Sequence, residues 1–331
     1  MWTSAWYESS HSSKMTATSE PRSRSIEVTG WIVKRCIIRK RLDGQVAIVT
    51  AASEGVGEAV SAELARRGCR VIMACQTMHT AAEAKQRILL KYGALNPLCT
   101  TMDIADSKMQ SLLTPVLPEQ LQLEHLDLTS VASVRRFALR ISVTVFKLNF
   151  LINKFSPIVD GSRIDVVTSC LSNFLLVQLM LPLLKQVGSI ARVINVRVPA
   201  TFCELSKVQS YCCLPGYGIH DREQMKIERH FKLVYMIRTS EMIRRFVGTG
   251  VLVVNVDSGL VRREVVRKSG KWISKVLAVL CNPIMKSSWT GVQTTMYTAL
   301  TDQLLTGGYY SNCKLKRTDE LVVEMVAHKQ F

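Results

Sequence analysis

From Leu42 onward the chain alternates short apolar runs rich in β-branched residues with stretches whose apolar side chains recur at helical spacing. The strand candidates are 45–50, 69–75, 121–128, 148–153, 192–196 and 251–256. Short apolar runs alternating with helical stretches suit strands covered on both faces, and the helical stretches between them supply the crossovers. The pattern therefore predicts an α/β fold built on a doubly wound parallel sheet in a single domain. Between the first two strands Val56, Val60 and Leu64 recur at i, i+4 and i+8, and Gly68 follows as a stop, so a helix of about three turns packs on the sheet. Residues 130–141 repeat the design, with Thr129 or Ser130 as N-cap and Val131, Val134, Phe137, Ala138 and Ile141 on one face.

Two regions break this rhythm. Residues 1 to about 29 are rich in Ser and Thr with little apolar periodicity, and read as a poorly ordered extension. The basic, apolar stretch 31–41 that follows has two readings, a segment lying on an anionic membrane surface or a lead-in element that packs on the domain. The predicted division is an extension over 1–41 and a domain over 42–331. Residues 95–120, with three prolines and mixed polarity, read as a loop inserted into the domain.

The chain has 331 residues, 47% of them hydrophobic and 21% charged, which excludes a disulfide-stapled mini-domain and wholesale disorder. The net charge of +17 favours anionic partners, and says nothing about fold. Nucleic acid is not expected, because no recognition motif or interleaved aromatic run accompanies the charge. The ten cysteines show no metal-type spacing with the six histidines, and read as small buried hydrophobes in an intracellular, reducing compartment. The longest apolar stretch, 174–184, includes Gln178 and Pro182 and falls short of the roughly 20 residues needed to span a bilayer. The start lacks the apolar core of a secretory signal.

The first strand runs into Thr50-Ala-Ala-Ser-Glu-Gly55-Val-Gly57, where the first helix begins. Glycine in such a turn lets the backbone approach a pyrophosphate, and the helix N-terminus offers unbonded N–H groups to the anion. Two glycines alone are weak; between a strand and a helix, with further strands behind, they form a dinucleotide signal that competes with an ordinary βα turn.

These features, with Arg41-Leu-Asp-Gly-Gln-Val-Ala-Ile-Val-Thr50, Glu63-Leu-Ala-Arg-Arg-Gly-Cys-Arg-Val71, Leu126-Asp-Leu-Thr-Ser130, Phe150-Leu-Ile-Asn153, Arg192-Val-Ile-Asn-Val196, Gly248-Thr-Gly-Val251 and Tyr309-Tyr-Ser-Asn-Cys-Lys-Leu-Lys316, resemble the short-chain dehydrogenase/reductase family, and within it the retinol dehydrogenase-like group. The resemblance spans about 42–315 and implies a single Rossmann-type domain. It also implies NAD(P)-dependent interconversion of an alcohol and a carbonyl compound, with a dinucleotide and a lipophilic alcohol or aldehyde as partners. On the family pattern Thr50, Gly55, Val56 and Gly57 cradle the cofactor, Ala51 replaces the first glycine, Asp127 sits beside the adenine, and Asn153 opens the Asn-Asn-Ala-Gly motif. That motif continues as Lys154-Phe-Ser156, and the interval to Asp160-Gly161 is shortened, so part of the nicotinamide side is expected to be lost. Gln76 stands where NADP-using relatives carry Arg and supplies neither sign of charge, while Glu54 would repel a 2′-phosphate. Family habit leans slightly to NADP over NAD.

The family's chemistry needs a Tyr to move the proton, a Lys four residues later, a Ser at the carbonyl and an Asn in the relay. Lys232 is retained. The Tyr position holds Glu228, which stays ionised near neutrality with a reference pKa of about 4.3 and cannot donate a proton. The Ser position holds Val198, the relay Asn falls on Ser169, and the Pro-Gly after the sixth strand reads Ser258-Gly259. Three outcomes are open: a redox protein with weak or lost catalysis, a non-catalytic scaffold or nucleotide-binding protein, and an active enzyme rescued by Ser206, Ser210, Tyr211, Tyr217 or His220. Residues 262–275, basic and apolar by turns, read either as a lid resting on an anionic membrane or as a solvated face.

Overall fold

The computed structural model describes residues 24–28, 31–96, 112–155, 163–187, 191–197, 239, 241–246, 248–259, 261 and 286–316. Two N-terminal strands, β1 (Arg24–Val28) and β2 (Trp31–Arg35), pair antiparallel. The main sheet opens with β3 (Val46–Thr50), followed by α1 (Gly55–Arg66), β4 (Arg70–Cys75), α2 (Met78–Tyr92), β5 (Leu121–His125) and α3 (Val131–Thr144). The second half runs β6 (Phe150–Phe155), α4 (Arg163–Lys185), β7 (Ala191–Arg197), β8 (Val251–Asp257), α5 (Ser288–Leu300), β9 (Tyr309–Ser311) and β10 (Lys314–Lys316).

The sheet order is β10-β9-β8-β7-β6-β3-β4-β5, parallel except where β10 meets β9. The chain therefore starts in the middle, winds outward to β5, and returns to β6 on the other side of β3. Strand order reverses between β3 and β6, and the crevice at the carboxyl ends there is where such sheets bind ligands. All six expected strands are present within a few residues of their predicted ends. β5 stops early, because the Asp127 carboxylate accepts the Thr129 N–H two residues on and turns the chain.

Each face of the sheet carries its own core. Val49, Met73, Ile152 and Ile194 pack with Val60 and Leu64 of α1 and Ile88 of α2. Ile48, Ile72, Leu151 and Val193 pack with Val134, Phe137 and Ile141 of α3 and Leu176, Val177 and Met180 of α4. This alternation along each strand is the period of two that a sheet buried on both faces requires. α2 went unforeseen because its buried stripe is Ala81, Ala84, Ile88 and Tyr92, mostly small residues at helical spacing. The three-residue β9 and β10 are too short to show a period.

Of the two readings for the basic stretch, packing holds over its second half. Cys36 is buried and its N–H donates to Gln293 Oε1, and Arg67 donates to the carbonyls of Ile38 and Lys40. Cys36, Cys69, Cys75 and Cys313 are buried thiols. The predicted insertion is described only at its ends, where Thr114 N bonds to Arg66 O and Val116 N to Tyr92 O; residues 97–111 lie outside the described residues. No helix among the described residues is long and apolar enough to cross a membrane.

Candidate functional site

β3 ends at Thr50 and the chain turns through residues 51–54 into α1. Ala51 takes φ +49° and Gly55 φ +57°, both left-handed. The turn thus keeps a glycine-like conformation at the position where alanine has replaced glycine, at a cost of about 1–2 kcal/mol. Gly57 is fixed by sterics: a Cβ there would stand 2.3 Å from the Ala51 carbonyl oxygen and 3.1 Å from Ala52 Cα. Only glycine lets α1 start this close to the turn. Glu54 is the N-cap, in extended conformation, and its side chain makes no capping bond.

Two cations brace this turn. Arg87 on α2 reaches across to donate to the Ser53 carbonyl at 2.9 Å and to both Glu58 oxygens, at 3.0 and 3.2 Å. Lys154, 4% exposed, donates its backbone N–H to Thr50 Oγ1 at 2.9 Å and extends its ammonium to the Glu54 carbonyl at 3.4 Å. Lys154 thus places a buried ammonium beside the turn. The neighbouring Cys75 thiol is pushed up to about 11 by burial, against hydrogen bonds from residues 52 and 53 and the Lys154 charge.

The next corner is built by the ends of β4 and β5. Gln76 Nε2 donates to Asp127 Oδ1 at 3.2 Å, and the same oxygen accepts from the Thr129 N–H and hydroxyl. The two residues assigned to the adenosine end are thereby brought together.

Asn153 lies on the opposite face of β6 from Lys154, in register with Asn195 of β7 and Asn255 of β8. Asn153 Nδ2 donates to Asn195 Oδ1 at 3.3 Å, and Asn195 Nδ2 to Asn255 Oδ1 at 3.5 Å, which also accepts from the Thr239 hydroxyl. This buried amide row ties three parallel strands at the level of the site. Asn153 Oδ1 is buried without a hydrogen-bond partner among the described residues.

At the end of β8, Asp257 accepts from Gly259 N at 2.8 Å and from the Tyr309 hydroxyl at 3.1 Å. Gly259, at φ +70°, passes so near Lys286 that a Cβ would meet its Nζ at 3.0 Å. Burial lowers the Lys286 ammonium from its usual range, with Asp257 opposing the shift. Sequence reasoning missed Arg87, Asp257, Lys286 and Tyr309. The i, i+4 pair Glu83 and Arg87 left a sequence signal that pointed to a surface pair, and Tyr309 stood in a stretch that carries the family resemblance without marking a site.

The structure thus joins Thr50, Gly55, Val56, Gly57, the Lys154 end of the Asn153 strand, and, one corner away, Gln76 and Asp127. Ser169 falls within α4. Val198, Glu228 and Lys232 lie outside the described residues, as do the rescue candidates Ser206, Ser210, Tyr211, Tyr217 and His220 and the basic segment 262–275.

A family profile described as short chain dehydrogenase matches residues 45–213. Retinol dehydrogenase 12 of Mus musculus is 31% identical to this chain over 84% of its length and 81% of the relative's. Retinol dehydrogenase 11 of Homo sapiens is 27% identical over 84% and 80%. Among solved structures, apo glucose dehydrogenase of Caenorhabditis elegans superposes with a TM-score of 0.56 at 16% identity, covering 82% of this chain and 98% of that one. An NADPH-bound short chain oxidoreductase from Pseudomonas aeruginosa, described as containing an atypical catalytic center, also gives 0.56 at 16% identity, covering 82% and 96%. With the glycine turn, the strand order and these matches in agreement, the chain belongs to the short chain dehydrogenase family, and resembles its retinol dehydrogenases.

Proposed function

We propose that this chain binds a nicotinamide dinucleotide on the turn Thr50–Gly57 and has weak or no alcohol–carbonyl redox activity. The observation that carries the binding half is Gly57: its missing Cβ lets α1 begin against the Ala51 carbonyl, at the carboxyl end of β3 where strand order reverses. The residues around it fit the group. Backbone N–H groups of Gly55, Val56 and Gly57 would face the pyrophosphate, Lys154 would add positive charge, and Asp127 with Gln76 would receive the adenosine end. Bound there, the dinucleotide supplies or accepts a hydride.

The catalytic half rests on the sequence. Lys232 is retained for the cofactor and for the acid–base group, but Glu228 in the Tyr position is an ionised carboxylate and Val198 in the Ser position offers no hydrogen bond. Loss of one donor to a developing oxyanion costs about 3 kcal/mol of barrier stabilisation, so the two changes together suppress turnover severely. Family habit still leans to NADP, although Gln76 gives a 2′-phosphate no cation and Glu54 opposes it. The relatives' names make a lipophilic alcohol or aldehyde the substrate class to try, with retinaldehyde first. The alternative is a non-catalytic scaffold or nucleotide-binding protein on the same fold.

Retinaldehyde reduction with NADPH or NADH tests the reading. The native chain should turn over slowly or not at all, and the double variant V198S/E228Y should exceed its rate at least about a hundredfold. Native turnover that Y211F or Y217F abolishes would overturn it in favour of a rearranged site.

A further inference from the structure

α3 buries one face through Val134, Phe137, Ala138 and Ile141 against the sheet, as an amphipathic helix should. Its outer face departs from the usual charged surface. Leu139 and Val143 are 67% and 87% exposed one turn apart, and Phe146, two residues past the helix end, is 79% exposed. At 100° per residue Ala132, Leu139 and Val143 form one outward stripe, with Arg135 on one side of it and Arg136 and Arg140 on the other. Lys147 follows at the foot. Residues 129–149 include no Asp or Glu. Arg140 is tied to Glu124 at 3.2 Å and to the His125 carbonyl, which fixes one border of the stripe.

An apolar stripe bordered by arginines, on a helix that itself carries no acid, is the pattern of a helix lying in the interface of an anionic bilayer: the side chains enter the acyl boundary while the guanidinium groups meet lipid phosphates. A second copy of the chain fits less well, because two such faces in two-fold apposition would set like charges against each other. We infer that the outer face of α3 docks the domain on an anionic lipid surface through Leu139, Val143 and Phe146, with Arg135, Arg136 and Lys147 at the headgroups. This surface uses none of the residues 31–41 or 262–275, and it acts whether or not a dinucleotide is bound.

Vesicle flotation of the full chain tests it, comparing phosphatidylcholine alone with phosphatidylcholine enriched in phosphatidylserine. The chain should float with the anionic vesicles and much less with the neutral ones. L139E/V143E should lower the bound fraction on anionic vesicles at least about tenfold, and R135Q/R136Q should lower it and flatten its dependence on salt. Both variants change exposed positions, so circular dichroism melts should match the native chain. Unchanged flotation of L139E/V143E would overturn the inference, as would equal binding to neutral vesicles or no binding at all. A dimer in light scattering that L139E/V143E dissolves, without vesicle binding, would assign the face to a second copy and equally overturn it.

Discussion

Ala51 holds a left-handed backbone that its own side chain disfavours, so the turn has kept its shape after losing the glycine that made the shape easy. A51G should therefore raise unfolding stability by about 1 kcal/mol in a urea titration, because the strain relieved exceeds the entropy glycine adds to the unfolded chain. G57A should do the reverse, costing about 2–3 kcal/mol and weakening dinucleotide binding, since its Cβ would strike backbone atoms that cannot move aside. The buried thiols set a pH dependence of their own. Burial pushes Cys36 and Cys75 up to about 11 from an ordinary value near 9. Below pH 9 the thiols are protonated in both folded and unfolded chains; between about 9 and about 11 only the unfolded chain ionises them. Their contribution to stability should be complete below that window and fall across it, which denaturant midpoints measured on either side will show; a flat midpoint would contradict the burial.

At the scale of elements, α2 acts as a brace for the glycine turn. R87A removes the bonds to the Ser53 carbonyl and Glu58, and should weaken dinucleotide binding roughly three- to tenfold while costing about 1 kcal/mol of stability. Isothermal titration and denaturation on the same variant separate the two effects. The N-caps Ser130 and Ser287, which accept from Ser133 N and Thr290 N, should each cost about 1 kcal/mol on replacement by alanine, with binding untouched for S287A. The elements that sequence displayed are those whose apolar runs are long or whose turn chemistry is local: β3, β4, β6, β7, β8, α1 and α3. α2 was hidden because alanines mark its buried face, and the β5 end because a single Asx turn at Asp127 outweighs apolar Leu126 and Leu128. The Arg87 brace and the Asp257–Tyr309 bond join residues 34 and 52 positions apart, so no window of sequence contains them.

For the whole molecule, the order β10-β9-β8-β7-β6-β3-β4-β5 places the glycine turn at the reversal point, and the amide row Asn153–Asn195–Asn255 ties the strands beside it. Thr50, Gly55 and Gly57 were legible as a strand–turn–helix junction because their geometry is local, whereas the place of Lys154 beside that turn required the fold that returns β6 beside β3. A net charge of +17 adds a long-range attraction for the dinucleotide's phosphates, so affinity should fall as salt is raised. The proposed function reduces to one pairing, a turn that still holds its nucleotide and a proton donor that is lost. Its most direct test follows NADPH fluorescence through a titration with the native chain and then after retinaldehyde is added. Saturable binding that G57A weakens is expected, with a signal that stays constant or falls far more slowly than with V198S/E228Y once the aldehyde is present; absence of binding, or a decay as fast as that of V198S/E228Y, would contradict the proposed function.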